Sequence, residues 1–134
     1  MDTLMIVAIA VHALSGVFWA GSSATVANLR GGSAERLFPF QMGAAGLTVL
    51  TGLALWAYWR GASFTLSSQI LLAGIVCAII AGAVQGSMAG RARRALAADP
   101  SREAELRPRF ALAHRIAAGL LMVTVVTMVT SKFF

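Results

Sequence analysis

Two histidines are the residues of this chain best suited to chemistry in an apolar setting. His12 lies inside a charge-free run from Thr3 to Leu29, and His114 stands near the start of the last apolar run. An ionisable side chain at bilayer depth is costly, and such residues usually face a bundle interior and serve a function. Imidazole is a common ligand of haem iron and of copper. The two histidines therefore predict a haem or metal site.

Each histidine can also have a role other than binding a metal or haem. A neutral His12 imidazole can instead be hydrogen-bonded to a neighbouring carbonyl or hydroxyl group, or it can transfer protons. His114 lies close to the predicted membrane interface and is followed by Arg115. There it can be an interfacial residue, hydrogen-bonded to lipid headgroups or to loop carbonyls.

The first apolar run places three candidate cofactor-binding residues on one helical face. His12, Gly16 and Trp19 are spaced four and three residues apart, which brings side chains together on a helix. Gly16 has no side chain and leaves room beside the helix for a flat ligand. We therefore expect His12, Gly16 and Trp19 to contact a bound cofactor, with His114 as a fourth candidate.

Depth along the helices argues against one iron shared by both histidines. At about 1.5 Å per residue, His12 falls roughly 5 Å to the outer side of its helix midpoint, and His114 roughly 10 Å to the inner side of its own. The same rise places Met122 near His12. A thioether suits haem iron or Cu(I), although methionines in membrane helices are often packing residues. The predicted metal ligands are His12, His114 and Met122.

The composition predicts an integral membrane protein. Hydrophobic residues make up 58% of the 134 residues and charged residues 12%, which is too apolar for a soluble domain of this size. A bilayer core requires about 20 apolar residues per helix. We predict an all-α integral-membrane four-helix bundle that forms a single domain, with spans at about 4–28, 38–59, 66–90 and 110–131.

The distribution of basic residues predicts the orientation. With four spans, nine of the eleven basic residues share one side: Arg30, Arg36, Arg91, Arg93, Arg94, Arg102, Arg107, Arg109 and Arg115. Only Arg60 and Lys132 lie opposite. Cytoplasmic loops carry such an excess, so both termini are expected outside the cytoplasm, in a bacterial-type inner membrane. The lipid bilayer is the expected partner. Nucleic-acid binding is not expected, because no aromatic residues interleave with the basic ones.

Small residues recur every four positions along the third apolar run, at Gly74, Ala78, Gly82, Gly86 and Gly90. In membranes such a stripe marks a close helix–helix contact. The contacting helix can belong to the same chain, to a second copy or to a larger membrane complex. In a parallel two-fold dimer, His12 and its symmetry mate have equal depth and can hold one haem between them.

Breaks between the later helices are also readable. Asp99-Pro100 should end a cytoplasmic extension of the third helix, and Ser101 is expected to cap a short turn ahead of Pro108. Pro39 suits an early position in the second helix. Cys77 is the only cysteine, so the chain has no intrachain disulfide.

The segment from His12 to Gly21 has the form His-x6-Trp-x-Gly. It resembles the first helix of the CopD-type copper-resistance membrane domain and the histidine-bearing first helix of the HemJ-type protoporphyrinogen oxidase family. Thr51-Gly52 resembles a Thr-Gly step in the second helix of CopD-type domains. The resemblance implies a small helical bundle that handles haem or copper, with His12 as the ligand. A lysine that both families tend to carry in the third helix has no counterpart here, so the oxidase activity does not carry over.

These observations predict a small membrane protein that binds haem b through His12 and serves in electron transfer or haem handling. A copper-handling membrane protein is one alternative. A cofactor-free accessory subunit, packed through the glycine stripe into a larger complex, is another. Whether the chain is an enzyme stays open, because no substrate or reaction can be read from the sequence.

Overall fold

Helices make up nearly all of the structure. The computed structural model describes residues 2–29, 33–60 and 63–134. Its main helices are α1 (Thr3–Asn28), α2 (Ser33–Arg60), α3 (Leu66–Val84), α4 (Gly90–Ala98) and α5 (Glu103–Thr130). Three short elements complete the fold: a π-helical turn at Gln85–Ala89 and 3-10 turns at Pro100–Arg102 and Ser131–Phe133.

Together these elements form four continuous helical segments that are long and apolar enough to cross a membrane. They are Thr3–Asn28, Ser33–Arg60, Leu66–Ala98 and Pro100–Phe133. The third segment consists of α3, the π-helical turn and α4, which follow one another without interruption. Many large apolar side chains face outward, including Leu14, Val17, Leu50 and Met122 at 68–74% exposure. Lipid accepts such a surface, whereas water does not. The all-α architecture with four membrane-compatible helices is confirmed.

Two helices begin earlier than their predicted spans. α2 starts at Ser33 and α5 at Glu103, so Pro39 and Pro108 lie inside helices. Each proline removes one backbone hydrogen bond, and both lie exposed within the first two turns. The break at Asp99-Pro100 is where the sequence predicted it, but the cap is a different residue. The Asp99 carboxylate, not Ser101, accepts the hydrogen bond, from the Ser101 backbone N–H at 3.1 Å. Hydrogen bonds from Ser101 lower the pKa of this exposed carboxyl.

The helices pack as two antiparallel pairs. α1 packs mainly on α2 and α3 mainly on α5, and α1 also contacts α5. The central core contains the Trp19 ring and small or aliphatic side chains: Ala44, Ala45, Ala78, Ala81, Ala117 and Leu121. Small residues bring the backbones close, which is the usual source of packing energy in lipid.

The glycine stripe is used within the chain. A Cβ added to Gly74 would collide with the Thr127 side chain of α5. One added to Gly82 would lie 3.7 Å from the Trp19 ring of α1, and one added to Gly90 would lie 3.5 Å from Phe38 of α2. The stripe therefore faces three other helices of the same protein.

The basic residues gather at one end of the bundle. Arg107 of α5 pairs with Glu35 of α2 at 3.3 Å, and the Arg93 guanidinium of α4 lies 5.7 Å from the centroid of the Phe38 ring. These contacts join α4 and α5 to the start of α2. Arg30, one of the nine basic residues, lies outside the described residues.

Candidate ligand-binding site

His12 is half-buried on α1 and is oriented by α2. Its Nδ1 lies 2.9 Å from the Thr48 carbonyl oxygen and 3.1 Å from the Thr51 hydroxyl. A carbonyl oxygen only accepts, and the Thr51 hydroxyl donates its own hydrogen to the Leu47 carbonyl oxygen at 2.6 Å. Nδ1 therefore carries the hydrogen and donates it to both oxygens. In the neutral imidazole, the lone pair is then on Nε2.

The local sequence of α2 explains this geometry. Thr51 and Gly52 follow Thr48 by three and four residues, so all three lie on one face of α2. A Cβ on Gly52 would lie 2.8 Å from His12 Cε1, which is closer than such atoms approach. Only glycine lets the ring lie against this turn. The Thr51-Gly52 step thus supplies one acceptor and the space beside the ring.

An apolar cavity of about 260 Å³ adjoins His12. One wall comes from α1 and α2, and the facing wall comes from α3 and α5. Residues that define it include Trp19, Thr48, Gly52, Ala78, Thr124 and Met128. The cavity opens toward the outer surface of the bundle beside Val17, Leu53 and Val125, which are all exposed.

The polar groups in the cavity walls are largely engaged by the protein. The Thr48 hydroxyl donates to the Ala44 carbonyl oxygen at 2.8 Å, and the Thr124 hydroxyl donates to the Gly74 carbonyl oxygen at 3.0 Å. No hydrogen bond reaches Nε2 of His12 from the described residues. Nε2 is therefore the imidazole nitrogen that is available to a ligand.

Ligation through one nitrogen, with the other nitrogen donating to a backbone carbonyl, is the usual arrangement of a metal-bound histidine. The carbonyl fixes the tautomer and the ring orientation. A ligand that offers only hydrogen-bond acceptors would be repelled by the Nε2 lone pair, whereas a metal ion is bound by that lone pair. The arrangement thus favours coordination chemistry over recognition of a carbonyl compound.

Trp19 forms the inner end of the cavity and is completely buried. Its Nε1–H donates to Gln85 Oε1 at 2.5 Å, and Gln85 Nε2 donates to the Ser23 hydroxyl at 2.7 Å. Gln85 begins the π-helical turn; such turns often occur at functional sites. Gly16 also lines the cavity, as expected from its position between His12 and Trp19.

His114 occupies a different environment from the one expected at the interface. It is fully buried rather than interfacial. Its Nδ1 lies 2.9 Å from the Phe110 carbonyl oxygen, and its Nε2 lies 3.0 Å from Gln41 Oε1. The Phe110 ring packs against the imidazole, with centroids 4.6 Å apart. Both nitrogens lie within hydrogen-bond distance of protein oxygens, so a ligand at Nε2 would first have to displace Gln41.

The two histidines lie at different heights in the bundle. His12 lies beside Thr48 and Gly52 of α2, and His114 lies beside Gln41. The seven residues from Gln41 to Thr48 correspond to about 10 Å along the helix. The structure therefore does not bring His12 and His114 to one site. Among the described residues, no group of three or more His, Cys, Asp or Glu side chains comes together.

The methionine that lines the same cavity as His12 is Met128, not Met122. Met122 is 70% exposed on the outer surface and does not line the cavity, whereas half-buried Met128 does. The position of Met122 along α5 predicted that it lies near His12, but position along a helix does not determine which way a side chain faces. The four-residue spacing from Thr124 to Met128 places these two residues on one face.

Comparison with family models, with curated proteins and with solved structures finds no match to this chain. Function is therefore inferred from the chemistry of the site.

Proposed function

We propose that this protein is a small membrane protein that binds haem b through Nε2 of His12 and serves in electron transfer or haem handling. The observation that carries the proposal is the orientation of His12. Thr48 and Thr51 accept the Nδ1 hydrogen, and Gly52 makes space for the ring. Nε2 has no partner among the described residues, and the His12 side chain lines an apolar cavity. Bound haem would supply a one-electron redox centre, whose potential depends on its axial ligands and on burial.

The cavity walls suit a flat apolar ligand in chemistry and shape. They lie between two helix pairs, and Gly16 and Gly52 contribute no side chains to them. The volume of about 260 Å³ lies below the usual range for ligand pockets of about 300–1,000 Å³. A porphyrin would therefore extend through the open side, beside Val17 and Leu53, where lipid would cover its edge.

A copper-handling role is the second candidate, and the cavity volume favours it. A Cu(I) ion fits within the space without protruding, and imidazole and thioether groups are ligands that Cu(I) accepts. The accessory-subunit alternative was based on the glycine stripe as a contact surface for a partner protein. Gly74, Gly82 and Gly90 of the stripe face α5, α1 and α2 of the same chain, so most of the stripe already packs within the protein.

Absorbance and metal analysis of the purified protein separate these functions. After expression with ample haem, the wild type should show a Soret band, and His12→Ala should lose most of it. Added imidazole should restore ligation in His12→Ala, because it can occupy the space left by the side chain. Circular dichroism controls for unfolding. Colourless protein that contains copper would support the second candidate, and protein without haem or metal would overturn both.

For location, we place the protein in a bacterial-type plasma membrane with both termini outside the cytoplasm. The support is the charge asymmetry of nine basic residues against two. A reporter fused after Phe134 should be active outside the cytoplasm, and one inserted near Asp99 should be active inside. The reverse pattern would place the His12 cavity in the cytoplasmic half of the membrane.

A further inference from the structure

Two side chains in the cavity carry donor atoms that the protein does not use. His12, whose Nε2 has no hydrogen-bond partner among the described residues, lies in the wall formed by α1 and α2. Met128, whose side chain carries a thioether, lies in the wall formed by α3 and α5. The Thr48 and Thr124 hydroxyls donate to backbone carbonyls, and half-buried Cys77 is not among the lining residues. The remaining donor pair is an imidazole nitrogen and a thioether sulfur.

His12 and Met128 lie toward the same end of the bundle, relative to the core cluster around Trp19. Trp19 of α1 and Leu121 of α5 pack in one core cluster and both line the cavity. His12 is seven residues before Trp19, and Met128 is seven residues after Leu121. Since α1 and α5 run antiparallel, both steps lead about 10 Å in the same direction.

The part of α5 that carries Met128 is held firmly against α3. On one side of Met128, the Thr124 hydroxyl donates to the Gly74 carbonyl oxygen, with close packing at Gly74. On the other side, the Ser67 hydroxyl donates to the Ser131 carbonyl oxygen. Both contacts are buried, so they fix the rotation of α5 and keep Met128 on the cavity side. This support resembles the support that Thr48 and Thr51 give to His12.

We infer that Met128 is the second residue of this chain that would hold the haem iron, together with His12. This inference rests on the proposed function. A thioether is a soft donor that raises the reduction potential of haem iron relative to nitrogen ligation. The site would then favour the ferrous state and would leave no iron position open to external ligands.

Met128→Leu and Met122→Leu form a matched pair of variants. They make the same change on the same helix, inside and outside the cavity, and leucine nearly conserves the volume of methionine. Met128→Leu should retain the Soret band through His12, lower the midpoint potential, and allow carbon monoxide to bind the ferrous haem. Met122→Leu should match the wild type in all three measurements.

The possible outcomes separate the two levels of inference. Haem that depends on His12, with Met128→Leu indistinguishable from Met122→Leu, would overturn Met128 as a ligand and leave the proposed function standing. Equal changes in both methionine variants would also overturn it, since the effect would not come from the cavity. Wild-type protein without haem would overturn the proposed function and the Met128 assignment together.

Discussion

His12 and His114 are both held by α2, yet their ring nitrogens are engaged to different degrees. At His12 only Nδ1 is bonded, to Thr48 and Thr51, and the rest of the ring borders a cavity. At His114 both nitrogens have protein partners, Phe110 and Gln41, and no surface is exposed. One imidazole keeps a ring nitrogen without a partner among the described residues, and the other links α5 to α2.

This difference gives a physical meaning to polar residues inside a membrane bundle. A buried polar group without a partner is unfavourable in lipid, so most such groups are paired, as His114 is. Among the described residues, Nε2 of His12, whose ring is held by two hydrogen bonds, lacks a partner, as does the buried Nε1 of Trp56. The unpaired Nε2 of a cavity-lining ring, and not the presence of a histidine as such, marks the candidate site.

The largest expected effect is a contrast between the two histidine variants: His114→Ala should lose stability, and His12→Ala should lose ligand binding. His114→Ala should lower the free energy of unfolding by about 2–4 kcal/mol, because it leaves a cavity and removes a partner of Gln41. His12→Ala should change it by about 1 kcal/mol or less, since single hydrogen bonds in membrane helices are weak, while haem or metal binding is lost. Unfolding in mixed detergent and absorbance spectra measure the two effects. If His114→Ala abolished binding without loss of stability, the roles of the two regions would have to be exchanged.

A smaller effect is expected when the space beside His12 is filled. Gly52→Ala introduces a Cβ 2.8 Å from His12 Cε1, whereas a Cβ on Gly46 of the same helix meets nothing within 4 Å. Displaced support of a ligating histidine reduces affinity by about 10–100-fold. We expect this loss for Gly52→Ala in a haem or Cu(I) titration and unchanged affinity for Gly46→Ala. Equal affinities for the two variants would show that the ring position does not depend on Gly52.

The smallest effect is expected from the Thr51 hydroxyl. Thr51→Val removes one acceptor of the Nδ1 hydrogen, but the Thr48 carbonyl oxygen remains at 2.9 Å. Affinity should fall about tenfold, the lower end for groups that orient a ligand. Thr51→Ser keeps the hydroxyl and should restore binding. Should Thr51→Val bind as tightly as the wild type, the Thr48 carbonyl alone would orient the ring.

Much of the architecture could be predicted from the sequence. Long charge-free runs determine helices, because backbone groups in lipid must pair within their own segment. The break at Asp99-Pro100 follows from the restriction that proline places on the preceding residue. The shared face of His12, Gly16 and Trp19 follows from helical spacing alone, and all three line the cavity.

What only the tertiary structure decided is the rotation of each helix. In water, the apolar face of a helix shows which side turns inward, but in lipid both sides are apolar, so the sequence of α5 does not distinguish Met122 from Met128. The burial of His114 depends on Gln41, which is 73 residues away in the chain. The partners of the glycine stripe depend on how three other helices approach it. Because these contacts arise from packing between helices, local patterns show which residues are able to meet, and the packed bundle determines which of them do.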